Sequence, residues 1–169
     1  MDRQAKLKPL QESPFFADGR GSREPVAGTV PQGGLRIDDH LYRGKDGPAF
    51  AETFPFPITR KVLERGRERY DIFCSPCHDR VGSGRGIIVQ RGYRAPASLH
   101  LDRLRQAPPG YFVDVMTRGF GAMPDYASQV PPRDRWDIAA YIRVLQLSQN
   151  VSRDDLTADE LRQLEGDTR

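Results

Sequence analysis

Residues 74 to 78 read Cys-Ser-Pro-Cys-His and contain both cysteines of the chain. Two thiols two residues apart, with a histidine directly after them, form the attachment signature of a c-type haem. The sulfurs become thioethers to the porphyrin, and His78 lands under the iron as an axial ligand. A haem iron serves electron transfer, small-molecule binding or redox catalysis, according to its second axial ligand and its accessibility. Two other chemistries use the same cysteine spacing. Structural zinc needs two more ligands, and only His40 and His100 remain, far apart and without paired spacing. A redox dithiol belongs at the start of a helix after a strand in a βαβ pattern, and nothing around Cys74 reads that way.

The second axial ligand must come from elsewhere. Of the three methionines, Met1 is terminal. Met116 falls with Phe112 and Val115 at i, i+3 and i+4 of a short helical stretch that Gly119 can stop, which predicts core packing. Met123 lies in Gly119-Phe120-Gly121-Ala122-Met123-Pro124, a loop with no helical face to bury. A thioether on such a loop, its backbone restrained by Pro124, can point at iron, and Met123 is the expected ligand. His100, ahead of Leu101 and Leu104, is the rival; bis-His ligation would lower the potential. An open iron is the third alternative.

Two helices must hold these groups in place. Thr59 is a natural N-cap after Pro55-Phe56-Pro57, and the following residues predict a helix to Phe73, with Val62, Gly66, Tyr70 and Phe73 along one side. A mid-helix glycine costs about 1 kcal/mol relative to alanine, so Gly66 points to close crossing by a second helix, the alternative being a tolerated surface glycine. Pro132 to Leu147 supplies a candidate, with proline in the first turn and a stripe of Ile138, Tyr141, Ile142 and Leu145 widened by Trp136, Ala139 and Ala140.

These motifs, in this order, resemble a class I cytochrome c over residues 59 to 148. The resemblance implies an all-α fold around one covalently bound haem c, its first and last helices crossing at Gly66 and Tyr141. It also implies Cys74 and Cys77 as thioether sites, a low-spin His78/Met123 iron, and outer-sphere electron transfer without catalysis. The glycines at 82, 84 and 86 would bring backbone to the porphyrin edge, the alternative being a flexible turn. The Pro96 carbonyl is a candidate acceptor for the His78 Nδ1–H. Further segments narrow the likeness: Ser13-Pro14-Phe15-Phe16-Ala17-Asp18-Gly19-Arg20, Ile88-Val89-Gln90-Arg91-Gly92-Tyr93, Tyr126-Ala127-Ser128-Gln129 and Arg133-Asp134-Arg135-Trp136. They resemble the monohaem cytochrome c subunit of alternative complex III, a bacterial membrane complex that oxidises quinol. That resemblance implies partners: other subunits of the complex, including a multihaem cytochrome c donor, and a downstream periplasmic acceptor or terminal oxidase.

Residues 1 to 58 are rich in proline and glycine, with Phe15, Phe16, Val26, Val30, Leu35 and Ile37 scattered among them and no helical or alternating period. They are expected to form an extended, non-helical arm along other subunits, the competing reading being a free tail. Residues 149 to 169 are expected to be a tail with one short helix, capped by Thr157 and Glu160 and stopped at Gly166. No stretch approaches a membrane span, and a formal charge of +3 without a basic, aromatic-interleaved stripe does not suggest nucleic-acid binding. The arginines are candidates for propionate contacts or a docking rim. Haem c is attached outside the bacterial cytoplasmic membrane, so the resemblance places the chain on the periplasmic side, peripheral or lipid-anchored. Met1 is then an internal methionine, with a signal peptide and a lipidated cysteine upstream.

Overall fold

The computed structural model describes residues 4, 6–8 and 10–166, with side chains to 163. Met1, on which the expectation of an upstream leader turns, lies outside the described residues. The chain divides into two compact units, one ending at Arg36 and the other starting at Ile37. This division falls ahead of the expected arm boundary at 58/59. The cause is a short insertion of regular structure that the arm reading overlooked. Helix α1 (Asp39–Arg43) is capped by the Asp38 carboxylate and closed by Gly44 at φ 66°. A two-stranded hairpin, β1 (Lys45–Asp46) and β2 (Ala49–Phe50), follows. This segment is bound into the second unit: Trp136, fully buried, donates from Nε1 to the Leu41 carbonyl at 2.9 Å, and Ala51 is core.

The rest of the second unit is helical, which is the predicted class. Helix α2 (Arg60–Phe73) begins where expected, the Thr59 hydroxyl accepting from the Val62 amide. One turn, α3 (Ser75–His78), carries the cysteine–histidine motif. Short helices α4 (Ile87–Gln90) and α5 (Asp102–Gln106) lead to α6 (Pro109–Arg118) and the long α7 (Pro132–Ser148). Helix α8 (Ala158–Gly166) ends the described chain. Its capping box is formed, Thr157 N donating to Glu160 and Glu160 N to the Thr157 hydroxyl.

The crossing of α2 and α7 is the closest approach in the fold. A Cβ on Gly66 would lie 2.0 Å from the Asp137 carbonyl oxygen and 3.0 Å from Tyr141 Cβ. The expected close neighbour is thus present, and it meets the Asp137 backbone. Tyr70 and Tyr141 pack edge to face beside it, ring centroids 5.5 Å apart. The predicted stripe on α7 is buried at Ile138, Ile142 and Leu145 and joins Phe112, Val113 and Met116 of α6 in one core.

In the first unit, residues 11 to 23 form a compact hook. Glu12 bridges Arg20, the buried Ser13 amide donates to Gly19 O at 2.9 Å, and Arg23 pairs with Asp18 while covering the Phe16 ring. Phe15 at the tip is 85 % exposed, and Leu10, Val26 and Leu35 are exposed too.

Candidate haem site

A cavity of about 330 Å3 opens between α2, α6 and α7. Its walls include Leu99, Leu104, Phe112, Val130, Ile138 and Ile142, and Cys74, Cys77, His78 and Met123 all line it. The fold therefore brings the four residues singled out in the sequence to one apolar chamber. His100 is not among the lining residues. Its Nε2 meets the Val81 carbonyl at 2.6 Å, so the rival nitrogen already has a partner.

Each group is held by identifiable local structure. The Cys74 carbonyl accepts from Cys77 N at 3.2 Å and His78 N at 2.8 Å, closing the turn that puts both sulfurs and the imidazole on one wall. Burial pushes the Cys74 thiol up to about 12, with the neighbouring Cys77 adding to it. Such a thiol stays protonated at neutral pH, the opposite of an activated dithiol. No cluster of three or more His, Cys, Asp or Glu side chains able to hold a metal occurs among the described residues. Burial also lowers the His78 pKa against the pull of Asp79, keeping the imidazole neutral as a ligand must be. The ring's Nδ1 is buried without a hydrogen-bond partner. Pro96, the candidate acceptor, lines the same cavity, and its carbonyl makes no hydrogen bond to that nitrogen here.

Met123 is held more tightly than a proline-restrained loop would suggest. Phe120 N donates to Met123 O and Met123 N to Phe120 O, both at 3.0 Å, around a turn with Gly121 at φ 59°. Gly119, at φ 75°, lies so close beneath that a Cβ there would sit 2.6 Å from Met123 O. The loop's ends are joined by a residue the sequence reading passed over. Arg135, almost fully buried, donates from Nε to Val130 O at 3.0 Å and from Nη1 to the Thr117 hydroxyl, linking the end of α6 to the start of α7. Met116 is packed in the core as predicted and also forms part of the wall.

The three glycines after His78 pack closely against the protein itself. None of them lines the cavity. A Cβ at Gly84 would meet Pro96 O at 2.6 Å, and one at Gly86 would meet Pro76 O at 2.2 Å. Gly84 and Gly86 thus admit the protein's own backbone, whereas a Cβ at Gly82 would meet the Leu99 side chain at 3.2 Å, and the turn is a packed one.

An apolar chamber, two cysteines and a neutral histidine on one wall, and a thioether in the lining together fit a covalently attached porphyrin. Comparison with known proteins defines the class. Residues 61–142, just under half of the chain, match the family model described as cytochrome C oxidase, cbb3-type, subunit III. The matched residues correspond to a c-type cytochrome domain, which implies covalently bound haem c and electron transfer. A solved structure that aligns with part of the chain, the reducing HAO-like protein complex of Kuenenia stuttgartiensis, shares 19% identity with a TM-score of 0.46. The alignment covers 63% of this chain and 54% of that one. No curated protein matches the sequence.

Proposed function

We propose that the chain is a one-electron carrier whose iron is ligated by His78 and Met123, with thioethers at Cys74 and Cys77, working as a fixed subunit of a membrane quinol-oxidising complex. The observation that carries the ligand assignment is the presence of all four residues in the lining of one cavity. Haem, when bound, supplies the one-electron couple. The chain's own residues do the rest. The apolar walls keep water from the iron, the α3 turn presents a neutral imidazole, and the Phe120–Met123 turn presents a sulfur that needs little rearrangement between oxidation states. His/Met ligation favours a high potential relative to bis-His. No bond chemistry is asked of the protein.

Ligation is tested by the spectra of the purified holo-protein and two variants. The oxidised protein is expected to show the weak near-infrared charge-transfer band of a methionine-ligated haem. Met123→Ala should lose that band and, once reduced, bind carbon monoxide; Met116→Ala should keep the band. A band that survives in Met123→Ala would overturn the assignment.

Membership of a complex of the alternative complex III type rests on the sequence motifs and on the first unit, in which Phe15, Leu10, Val26 and Leu35 are exposed. Such side chains suit an arm that lies against other subunits, among them a multihaem cytochrome donor. This reading puts the protein on the periplasmic side of the membrane, peripheral or lipid-anchored. No helix among the described residues is long and apolar enough to cross it. On this reading, the cytochrome should remain with washed membranes and co-migrate with quinol-oxidising activity after mild detergent extraction. Quantitative recovery in the soluble periplasmic fraction would identify a diffusible carrier.

A further inference from the structure

We infer that Asp79 is the positioning residue for the axial histidine, acting through the backbone that follows His78. In many metal sites a ligating histidine is oriented by a hydrogen bond from its second ring nitrogen. At His78 the backbone on either side of the ring is itself held by hydrogen bonds, which adds a second restraint.

On the far side that chain is gathered around one carboxylate. Asp79 accepts from Val81 N at 2.8 Å, Ser83 N at 3.1 Å, Arg85 N at 3.0 Å and the Ser83 hydroxyl. Its own amide donates to Ser75 O, closing the turn that carries the haem motif, and its carbonyl accepts the Tyr70 hydroxyl at 2.9 Å. With the loop curled around Asp79, two glycine amides return to the motif: Gly84 N donates to His78 O and Gly86 N to Cys77 O, each at 3.0 Å. The carbonyls of the attachment cysteine and of the histidine are thus fixed by residues whose placement depends on Asp79. The residue adopts φ 58° and ψ 176°, a region that is essentially glycine's own, so the hydrogen bonds to its side chain hold a strained backbone in place. Asparagine keeps the strain that aspartate already bears and glycine relieves it, so neither variant adds backbone strain of its own.

The inference rests on His78 being the iron ligand. The experiment compares holo-protein carrying Asp79→Asn and Asp79→Gly, read by electron paramagnetic resonance of the oxidised haem and by reduction potential. Both variants remove the same charge, so a purely electrostatic role shifts the potential equally in the two and leaves their resonance spectra alike. Asparagine retains an acceptor oxygen for the loop amides and glycine retains none. The positioning role therefore requires a graded response, with Asn close to wild type and Gly showing a shifted or split low-spin signal and a further displacement of potential. Ser83→Ala, which keeps the charge, should move the signal in the same direction by less. Equal spectra and potentials for Asn and Gly would overturn the inference. If Asp79→Gly fails to acquire haem while Asp79→Asn matures, the role stands; if neither matures, Ser83→Ala decides it, an unchanged signal counting against it. A wild-type spectrum without a low-spin histidine-ligated haem would instead defeat the ligand assignment, a separate outcome.

Discussion

Holo-protein carrying Gly66→Ala is expected to be less stable than wild type by about 2–4 kcal/mol, although alanine in a helix interior ordinarily gains about 1 kcal/mol over glycine. The sign decides the matter. A Cβ at this position would lie 2.0 Å from the Asp137 carbonyl oxygen and 2.6 Å from its carbon, and both belong to the backbone of α7. Neither can swing aside as a side chain would. The helices must separate, and the core side chains of Tyr70 and Ile138 lose contact along with them. For a domain of this size the melting midpoint should fall by about 10–20 °C. Thermal denaturation followed by circular dichroism measures it, and an unchanged or raised midpoint would show that α2 and α7 do not meet here.

The second large effect concerns the same crossing and depends on pH. Asp137 is 3 % exposed, and its Oδ1 has no hydrogen-bond partner. Burial raises its pKa from 3.8 to about 6; Arg133 and Arg65 pull it down and Asp134 pushes it up, and burial prevails. Between pH 4 and 6 the folded state holds a proton that the unfolded state has lost, so stability falls as pH rises through that interval and levels off above it. A displacement of this size corresponds to at most ~3 kcal/mol. Asp137→Asn has no proton to lose. Relative to wild type it should gain stability progressively from pH 4 to 7, with the difference flat beyond. Urea denaturation of the two proteins at pH 4.5 and pH 7.5 supplies the comparison; a difference that does not change with pH would mean that the carboxylate is solvated or paired.

The parts of this fold that could be read in advance are those where one residue type has a single strong reason to occur. Cys74, Cys77 and His78 announce their chemistry by spacing. Thr59 and Thr157 cap the helices they precede, and Gly66 makes sense only if another backbone comes close. The segment from Ile37 to Ile58 was misread because a five-residue helix and two-residue strands are too short to show a period. Its signals were local: Asp38 and Gly44 bracketing α1, and the Asp46-Gly47 pair at the hairpin. Arg135 was hidden for another reason. In an arginine-rich stretch nothing marks which guanidinium is buried against carbonyls and which meets water. The glycines after His78 were rightly seen as a close approach, but only the fold shows that the approaching chain is Pro76 and Pro96. That Asp79 organises this turn is likewise a matter of three-dimensional register.

The hydrogen bond from Trp136 to Leu41 bears on the order in which the molecule is assembled. Its two ends are 95 residues apart and lie on either side of the haem motif. The α2–α7 crossing spans the motif in the same way. A chain delivered N-terminus first therefore exposes Cys74, Cys77 and His78 before the helix that completes their chamber has been made. Contacts of such long sequence separation form late and slowly. Haem attached before α7 docks would find the motif open, and the later docking of α7 would then close the chamber around it.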